Sequence, residues 1–204
     1  MKTFVLPASS AESIDRAVEV LRGGGLVAFP TDTVYGLGAL AFNSAAVKRI
    51  YVAKDRPPDK AIPVLLSSVE EIDLVAVSVG DRALRLARRY WPGPLTLVVP
   101  KSDRVPEAVA AATVGIRVPD HPVALALLGV SGPLAVSSAN LSGNDSPVTA
   151  AEALRQLDGR VEIILDGGTT PGGIPSTVAD CNGDELVILR PGPLTLQELQ
   201  AALG

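Results

Sequence analysis

Short apolar runs bounded by turn residues, interleaved with amphipathic helical segments, predict an α/β fold on a twisted, mixed β-sheet with flanking helices. Strands and helices intermix without a clean βα alternation, which argues against a purely parallel sheet. The balance of 47% hydrophobic against 20% charged residues, with Gly 19 and Pro 17, fits a compact domain rich in tight turns rather than a disordered or coiled-coil chain.

Each element has its own warrant. Ser9 and Glu12 have capping-box spacing ahead of Ile14, Ala17, Val18 and Leu21, and Gly23-Gly24-Gly25 closes that helix. LVAFP (26–30) reads as a short buried strand, and TDTVYGLGAL after it as the hand-over to a loop. Asn43 or Ser44 caps a helix through Val47, Ile50 and Tyr51 that ends near Lys54. AIPVLL (61–66) is a strand that Pro63 assigns to an edge or an irregular position. A helix with basic outer positions follows at 81–90, a strand at 95–99 (LTLVV), a short helix at 105–112 and a strand at 114–119. Asp120 caps a helix through Ala124 and Leu128, and LAVSS (134–138) is a strand ending in a polar loop. Then come a helix at 149–157, a strand and turn at 161–168, a hairpin of STVADC and ELVILR around Asn182-Gly183, and a helix at 195–203. The Gly/Pro-rich segment 167–175 is the longest loop candidate and the expected mobile edge of a site. No repeat or linker divides residues 1–204, so one domain is expected.

Several function classes recede on composition. The net charge of −4 gives no long-range attraction to nucleic acid from the whole molecule. One cysteine, Cys181, and one histidine, His121, rule out an internal disulfide and multi-Cys or multi-His metal sites. The N-terminal stretch lacks a signal-peptide core and no apolar run reaches membrane-spanning length, so a cytoplasmic protein without a membrane anchor is expected.

Polar residues gather after apolar strands at Thr31-Asp32-Thr33, Arg117, Ser137-Ser138-Asn140 and Arg190, where an α/β sheet usually forms its ligand crevice. Together with KDRPPDK (54–60) they make an inventory for a phosphate-bearing ligand. Neither a Walker A loop nor a dinucleotide fingerprint occurs, so phosphate would be held by Lys, Arg and loop hydroxyls. Lys54, Arg56 and Lys60 could approach one anion if Pro57 and Pro58 keep the stretch extended; the alternative is a solvated turn. On either reading Lys54 belongs to a surface loop and contributes little to packing. A triad of Ser137 or Ser138 with His121 lacks a GxSxG context, and His121 reads more simply as a helix N-terminal residue. Asp32, Asp166 and Asp180 are read as turn formers or caps rather than Mg²⁺ ligands, and Cys181 as a semi-buried residue.

PTDTVYGLG (30–38), Lys54-x-Arg56 with RPPDK following, WPGPLT (91–96), GIRVPDHP (115–122), SSANLSG (137–143), STVAD (176–180) and LRPG (189–192) together resemble the YrdC-like domain family. The likeness runs from about residue 12 to 194 and looks like the single-domain form. The enzymatic members of that family are L-threonylcarbamoyladenylate synthases. The resemblance implies that L-threonine and bicarbonate (or CO₂) give an N-carboxylated threonine, which attacks the α-phosphorus of ATP to form threonylcarbamoyl-AMP and pyrophosphate. It also implies Mg²⁺ and a partner transferase that moves the threonylcarbamoyl group to adenosine 37 of tRNA. Family-like positions for threonine are Thr33, Arg117, Ser138 and Ser176; for ATP they are Arg56, Lys60, Thr113, Asn140, Ser146 and Arg190. Lys54 and Arg56 would carry the catalysis by neutralising charge at the phosphates and the carbamate. No set of metal ligands is implied. Two departures stand out: many relatives have Asn where this chain has Lys60, and His where it has Leu65, which removes a polar contact from the expected threonine site. Two rivals remain. One is a non-catalytic double-stranded RNA-binding protein of the same fold, resting on Lys48, Arg49, Lys54, Arg56 and Lys60 against Asp55 and Asp59. The other is the carbamoyl-adenylating activity of hydrogenase-maturation proteins, whose multidomain chains are far larger.

Overall fold

The computed structural model describes residues 2–58, 60–171 and 173–204. In chain order the elements are β1 (Phe4–Pro7), α1 (Ala11–Arg22), β2 (Val27–Pro30), β3 (Tyr35–Leu40), α2 (Ser44–Lys54), β4 (Val64–Leu65), α3 (Ile72–Val75) after a 3₁₀ turn at Val69–Glu71, and α4 (Asp81–Tyr90). There follow β5 (Leu95–Pro100), β6 (Thr113–Arg117), α5 (Pro122–Ser131), β7 (Leu134–Ser138), α6 (Ala150–Leu157), β8 (Ile163–Asp166), β9 (Thr177–Asp180), β10 (Val187–Arg190) and α7 (Leu196–Ala201). The strands join in one mixed sheet of order β1-β8-β2-β3-β7-β4-β6-β5-β9-β10, as the α/β reading predicts.

Both faces of the sheet are covered, and the period of two sorts the side chains between them. Val27 and Phe29 pack with Val18, Leu21, Leu127, Leu128, Ile163 and Leu165, the layer of α1 and α5. Ala28 and Ile164 point the other way, into a larger core with Leu37, Ile50, Leu86 and Leu97.

The structure corrects several local expectations. The N-cap of α1 is Ser10, not Ser9, and its side chain makes no capping bond. TDTVYGLGAL does not run into a loop: β2 turns directly into β3, with Pro30 opposite Tyr35 and Val27 opposite Gly38. Glycine suits this hairpin because a Cβ on Gly36 would stand 2.6 Å from Val136 Cγ1. Pro63 does not mark an edge. Strand β4 lies inside the sheet between β7 and β6 but is only two residues long, and Pro63 sits just outside its ladder, where its carbonyl accepts the Val136 N–H at 2.9 Å. Residues 105–112 form turns instead of a helix: the Val109 carbonyl accepts the Ile62 N–H at 3.0 Å, so it serves a neighbouring segment rather than a helical ladder. The cap of α5 is His121 rather than Asp120, its Nδ1 accepting the Val123 N–H at 3.2 Å. Strand β1 and helix α3 have no counterpart in the sequence reading.

Candidate functional site

On one face of the sheet the β2–β3 turn, alternate residues of β5, β6 and β9, and the ends of β4, β7 and β10 surround a cavity of about 380 Å³. The strand register brings these residues together: Gly36 faces Ser138, Leu65 faces Arg117, and Thr96 faces Val178.

The turn is organised by Thr31. Its Oγ1 donates to the Val34 carbonyl at 2.7 Å, accepts the N–H groups of Thr33 (3.2 Å) and Val34 (3.3 Å), and lies 3.0 Å from Thr33 Oγ1. Thr33 in turn accepts from Arg117 Nη1 at 3.2 Å. Arg117 is almost completely buried and is fixed on its other sides. Its Nε donates to the Gly93 carbonyl at 2.9 Å, in the WPGP turn, and its Nη2 pairs with Asp32. Burial lowers the Arg117 pKa, and the charge and hydrogen bond of Asp32 oppose that shift.

Across the cavity, Arg190 donates through Nε and Nη2 to the Ser176 carbonyl (3.2 and 2.7 Å) and through Nη2 to Ser176 Oγ (3.0 Å). Ser176 Oγ also lies 2.8 Å from Thr96 Oγ1. Burial lowers the Arg190 pKa first, and the fields of Arg117 and Arg56 add to it, so three guanidinium groups act on one space. Arg56 reaches this cavity while its Nε and Nη2 donate to the carbonyls of Lys60 (3.3 Å) and Ala61 (3.0 Å).

Of the residues expected from sequence, the cavity brings together Thr33, Arg56, Thr113, Arg117, Ser138, Ser176 and Arg190. Ser146 lines a separate recess of about 580 Å³ with Asn144, Glu152 and Arg155. Lys60 is exposed and lines neither space. Asn140 lies behind the wall, its Nδ2 donating to the carbonyls of Leu141 and Asn144 (both 2.8 Å); its buried Oδ1 has no partner among the described residues.

Lys54 is the main correction. It is no surface-loop residue but the last residue of α2, 1% exposed, and its Nζ donates to the carbonyls of Ser138 and Asn140. Its own carbonyl accepts the Ser142 N–H at 2.8 Å, so one residue holds the 138–142 loop at three points. Burial, and then the nearby Arg56 charge, lower its pKa to about 7. The extended geometry expected for KDRPPDK fails at Asp55, whose φ of 51° ends the helix in the left-handed region. Lys54 therefore points inward, and Arg56 does not share its side. Asp59 lies outside the described residues.

The double-stranded RNA-binding alternative is not favoured, because the basic run is broken up. Lys54 is buried, and Arg49 is spent on Glu162 and the Gly24 carbonyl. His121 caps α5 through Nδ1, burial raises the Cys181 thiol to about 11, and neither residue lines the cavity. The described residues of segment 167–175 make several hydrogen bonds to the rest of the fold. Tyr35 Oη donates to the Gly168 carbonyl (2.7 Å) and accepts the Gly167 N–H (3.2 Å), Thr170 N–H reaches the Val148 carbonyl (2.9 Å), and Gly173 N–H reaches the Thr33 carbonyl (3.0 Å). Sequence reasoning missed Thr96 as a site residue, although a lone hydroxyl in the apolar run LTLVV was a signal for it.

Residues 19–192 match the model of the Sua5/YciO/YrdC family, which carries the description "Telomere recombination". The chain belongs to this family. It is 46% identical over 191 residues to the threonylcarbamoyl-AMP synthase of Pyrococcus abyssi and 47% identical over 195 residues to that of Bacillus subtilis. These alignments cover 92% and 94% of the chain but 56% of each relative, so the chain spans little more than half their length. A putative threonylcarbamoyl-AMP synthase of Mycobacterium tuberculosis is 42% identical over 200 residues, which is 97% of this chain and 92% of that protein. The crystal structure of P. abyssi Sua5 complexed with L-threonine superposes with a TM-score of 0.94 at 43% identity, over 100% of this chain and 61% of that one. Family membership and the Sua5-like fold thus agree with the resemblance read from the motifs.

Proposed function

We propose that this protein is an L-threonylcarbamoyladenylate synthase, a nucleotidyltransferase that uses L-threonine, bicarbonate or CO₂, and Mg-ATP. The observation that carries the reading is the cavity: Arg56, Arg117 and Arg190 share it with the hydroxyls of Thr33, Thr113, Ser138 and Ser176. Such a set suits one carboxylate and one polyphosphate. The names of the relatives and the threonine complex of P. abyssi Sua5 support the same choice.

In the proposed reaction the threonine amine adds to CO₂ and loses a proton, giving the carbamate. A carbamate oxygen then attacks the α-phosphorus as the bond to the β-phosphate oxygen breaks, and pyrophosphate leaves. Arg117, with Thr33, Ser138 and Ser176, holds the amino acid. Arg56, Arg190 and Thr113 take the phosphates, and Ser146 and Asn140 extend the nucleotide site beyond the cavity wall. Lys60 meets the outer phosphates from the loop. Lys54 acts through the 138–142 loop that it pins, not by contact with phosphate. Catalysis is then positional and electrostatic, without a covalent intermediate on the protein. No group of three or more His, Cys, Asp or Glu residues converges among the described residues. In the proposal Mg²⁺ therefore enters as the ATP complex, held chiefly by phosphate oxygens.

Leu65 stands at the cavity floor beside Arg117, an apolar contact suited to the threonine methyl. We further propose that residues 1–204 act as one catalytic domain and work in the cytoplasm with a transferase that consumes the adenylate on tRNA. No helix among the described residues is long and apolar enough to cross a membrane. The test is pyrophosphate release from Mg-ATP, with threonine and bicarbonate omitted in turn. Release that requires both is the expected result; release independent of threonine, or none from folded protein, overturns the proposal.

A further inference from the structure

Arg117 brings a buried positive charge to the cavity, and its surroundings decide how much of that charge a ligand meets. Three of its five N–H groups are already spent: Nε on the Gly93 carbonyl, Nη1 on Thr33 Oγ1 and Nη2 on Asp32. The two that remain suffice to orient one carboxylate. The charge behind them is balanced, because Asp32 is ion-paired to the same guanidinium. The side chains of Arg117 and Asp32 are only 6% and 12% exposed, so little water screens the pair, and its net charge governs what can join it. Asp32 is held in place by its turn. It lies between the buried Thr31 and Thr33, and Thr31 Oγ1 bonds the N–H groups of Thr33 and Val34 and the Val34 carbonyl. Across the cavity, Arg190 forms no ion pair among the described residues.

We propose that Asp32 is a specificity-determining residue: it makes the Arg117 end of the cavity electroneutral, so that this end accepts a zwitterionic amino acid and refuses an anion of the same shape. The assignment rests on the reading that an amino acid binds beside Arg117. A zwitterion adds no net charge to the buried pair. A monoanion such as (R)-3-hydroxybutyrate, which is threonine without its amino group, leaves an uncompensated negative charge beside Asp32. Phosphate is refused on the same ground. Asp32 does not itself line the cavity, so it acts through Arg117 and through its own field rather than by touching the ligand.

The experiment compares wild type, Asp32→Asn and Asp32→Glu in the full chain. Calorimetry measures binding of L-threonine and (R)-3-hydroxybutyrate, each with and without inorganic phosphate. Asparagine keeps an oxygen for Arg117 Nη2 but removes the charge; glutamate keeps the charge. Wild type should prefer threonine, and Asp32→Asn should lower that preference about tenfold. Phosphate should weaken threonine binding more in Asp32→Asn than in wild type, and Asp32→Glu should retain the wild-type preference. Both ligands report on the same folded protein, so a lower Tm leaves the ratio unaltered. Asp32→Asn that weakens both ligands alike has lost only a structural support, which overturns the inference while the proposed function stands. Wild type that binds 3-hydroxybutyrate as tightly as threonine also overturns it, even where Asp32→Asn fails to fold. Wild type that neither binds threonine nor releases pyrophosphate from Mg-ATP overturns the proposed function, and the assignment falls with it.

Discussion

Replacing Lys54 with alanine removes a side chain that is 1% exposed, and with it both hydrogen bonds that hold the carbonyls of Ser138 and Asn140. A buried carbonyl left without a donor costs about 1–3 kcal/mol. The three methylenes lost from the stem add about 0.8 kcal/mol each, offset in part because an ammonium no longer has to be buried. A net loss of about 3 kcal/mol is expected, which for a chain of this size lowers Tm by about 10 °C. Lys54→Met keeps most of the stem and should lose about half as much. Thermal denaturation of both variants measures this, and pyrophosphate release well below the lowered Tm separates activity from unfolding. Both should be slow even when folded, because the 138–142 loop has lost its pin. Lys54→Ala within about 2 °C of wild type would refute the buried-pin reading.

The pH dependence has a definite sign. The folded pKa is depressed to about 7 from 10.5, so between these values the unfolded chain holds a proton that the folded chain has released. Stability from this group therefore rises with pH across that window, and it is lowest below pH 7, where the buried amine must be charged. Both protonation states keep N–H groups for the two carbonyls, so the pin survives the titration. Lys54→Met should lack the rise; parallel stability curves for the two proteins would refute the assignment.

Other expectations follow from the contacts around the cavity. Tyr35→Phe removes the donor to the Gly168 carbonyl and the acceptor of the Gly167 N–H, at a cost of about 1 kcal/mol. Hydrogen exchange at Gly167 should accelerate, and unchanged protection would mean that the loop is anchored elsewhere. Thr96→Val takes the hydroxyl partner from Ser176 and should raise the threonine KM about fivefold with little change in Tm, while Thr96→Ser restores it. An unaltered KM for Thr96→Val would show that Arg190 alone orients Ser176.

Most of the sheet and part of the polar cavity lining are legible in the sequence because both depend on local pattern, whereas Thr113 and Ser176 are indicated only by the family resemblance. Apolar runs such as LVAFP and LAVSS mark strands, and the polar residues that follow them mark strand ends. Strand β1 is less visible: its pairing partner, β8, is supplied from the far end of the chain, with Phe4 opposite Ile163. A four-residue run cannot announce such a partner. The helix expected at 105–112 has the right composition, but its Val109 carbonyl is taken by Ile62, a tertiary competition that propensity does not register. Lys54 was misplaced for a different reason. Its neighbours Asp55 and Arg56 belong to a loop, and nothing local signals that a left-handed residue at Asp55 would divide the motif, sending one cation inward and the other to the cavity.

That division explains the choice of cation at each place. Burial takes the Lys54 amine to about 7, so a lysine in such surroundings is a pH-sensitive source of positive charge. The pKa values of Arg117 and Arg190 are also lowered by burial, but a guanidinium starts so high that it stays cationic. Within the cavity the two arginines still differ. Arg117 is compensated by Asp32 and rigidly framed by Gly93 and Thr33, so it offers shape and direction more than net attraction. Arg190 rests on the neutral oxygens of Ser176, forms no ion pair among the described residues, and keeps its full charge available. A compensated guanidinium suits a small zwitterion, whose carboxylate must be oriented without repelling its ammonium. An uncompensated one suits a polyanion. The asymmetry between the two sides of one 380 Å³ space therefore orders the proposed substrates across it, with the amino acid toward Asp32 and the phosphates toward Arg190.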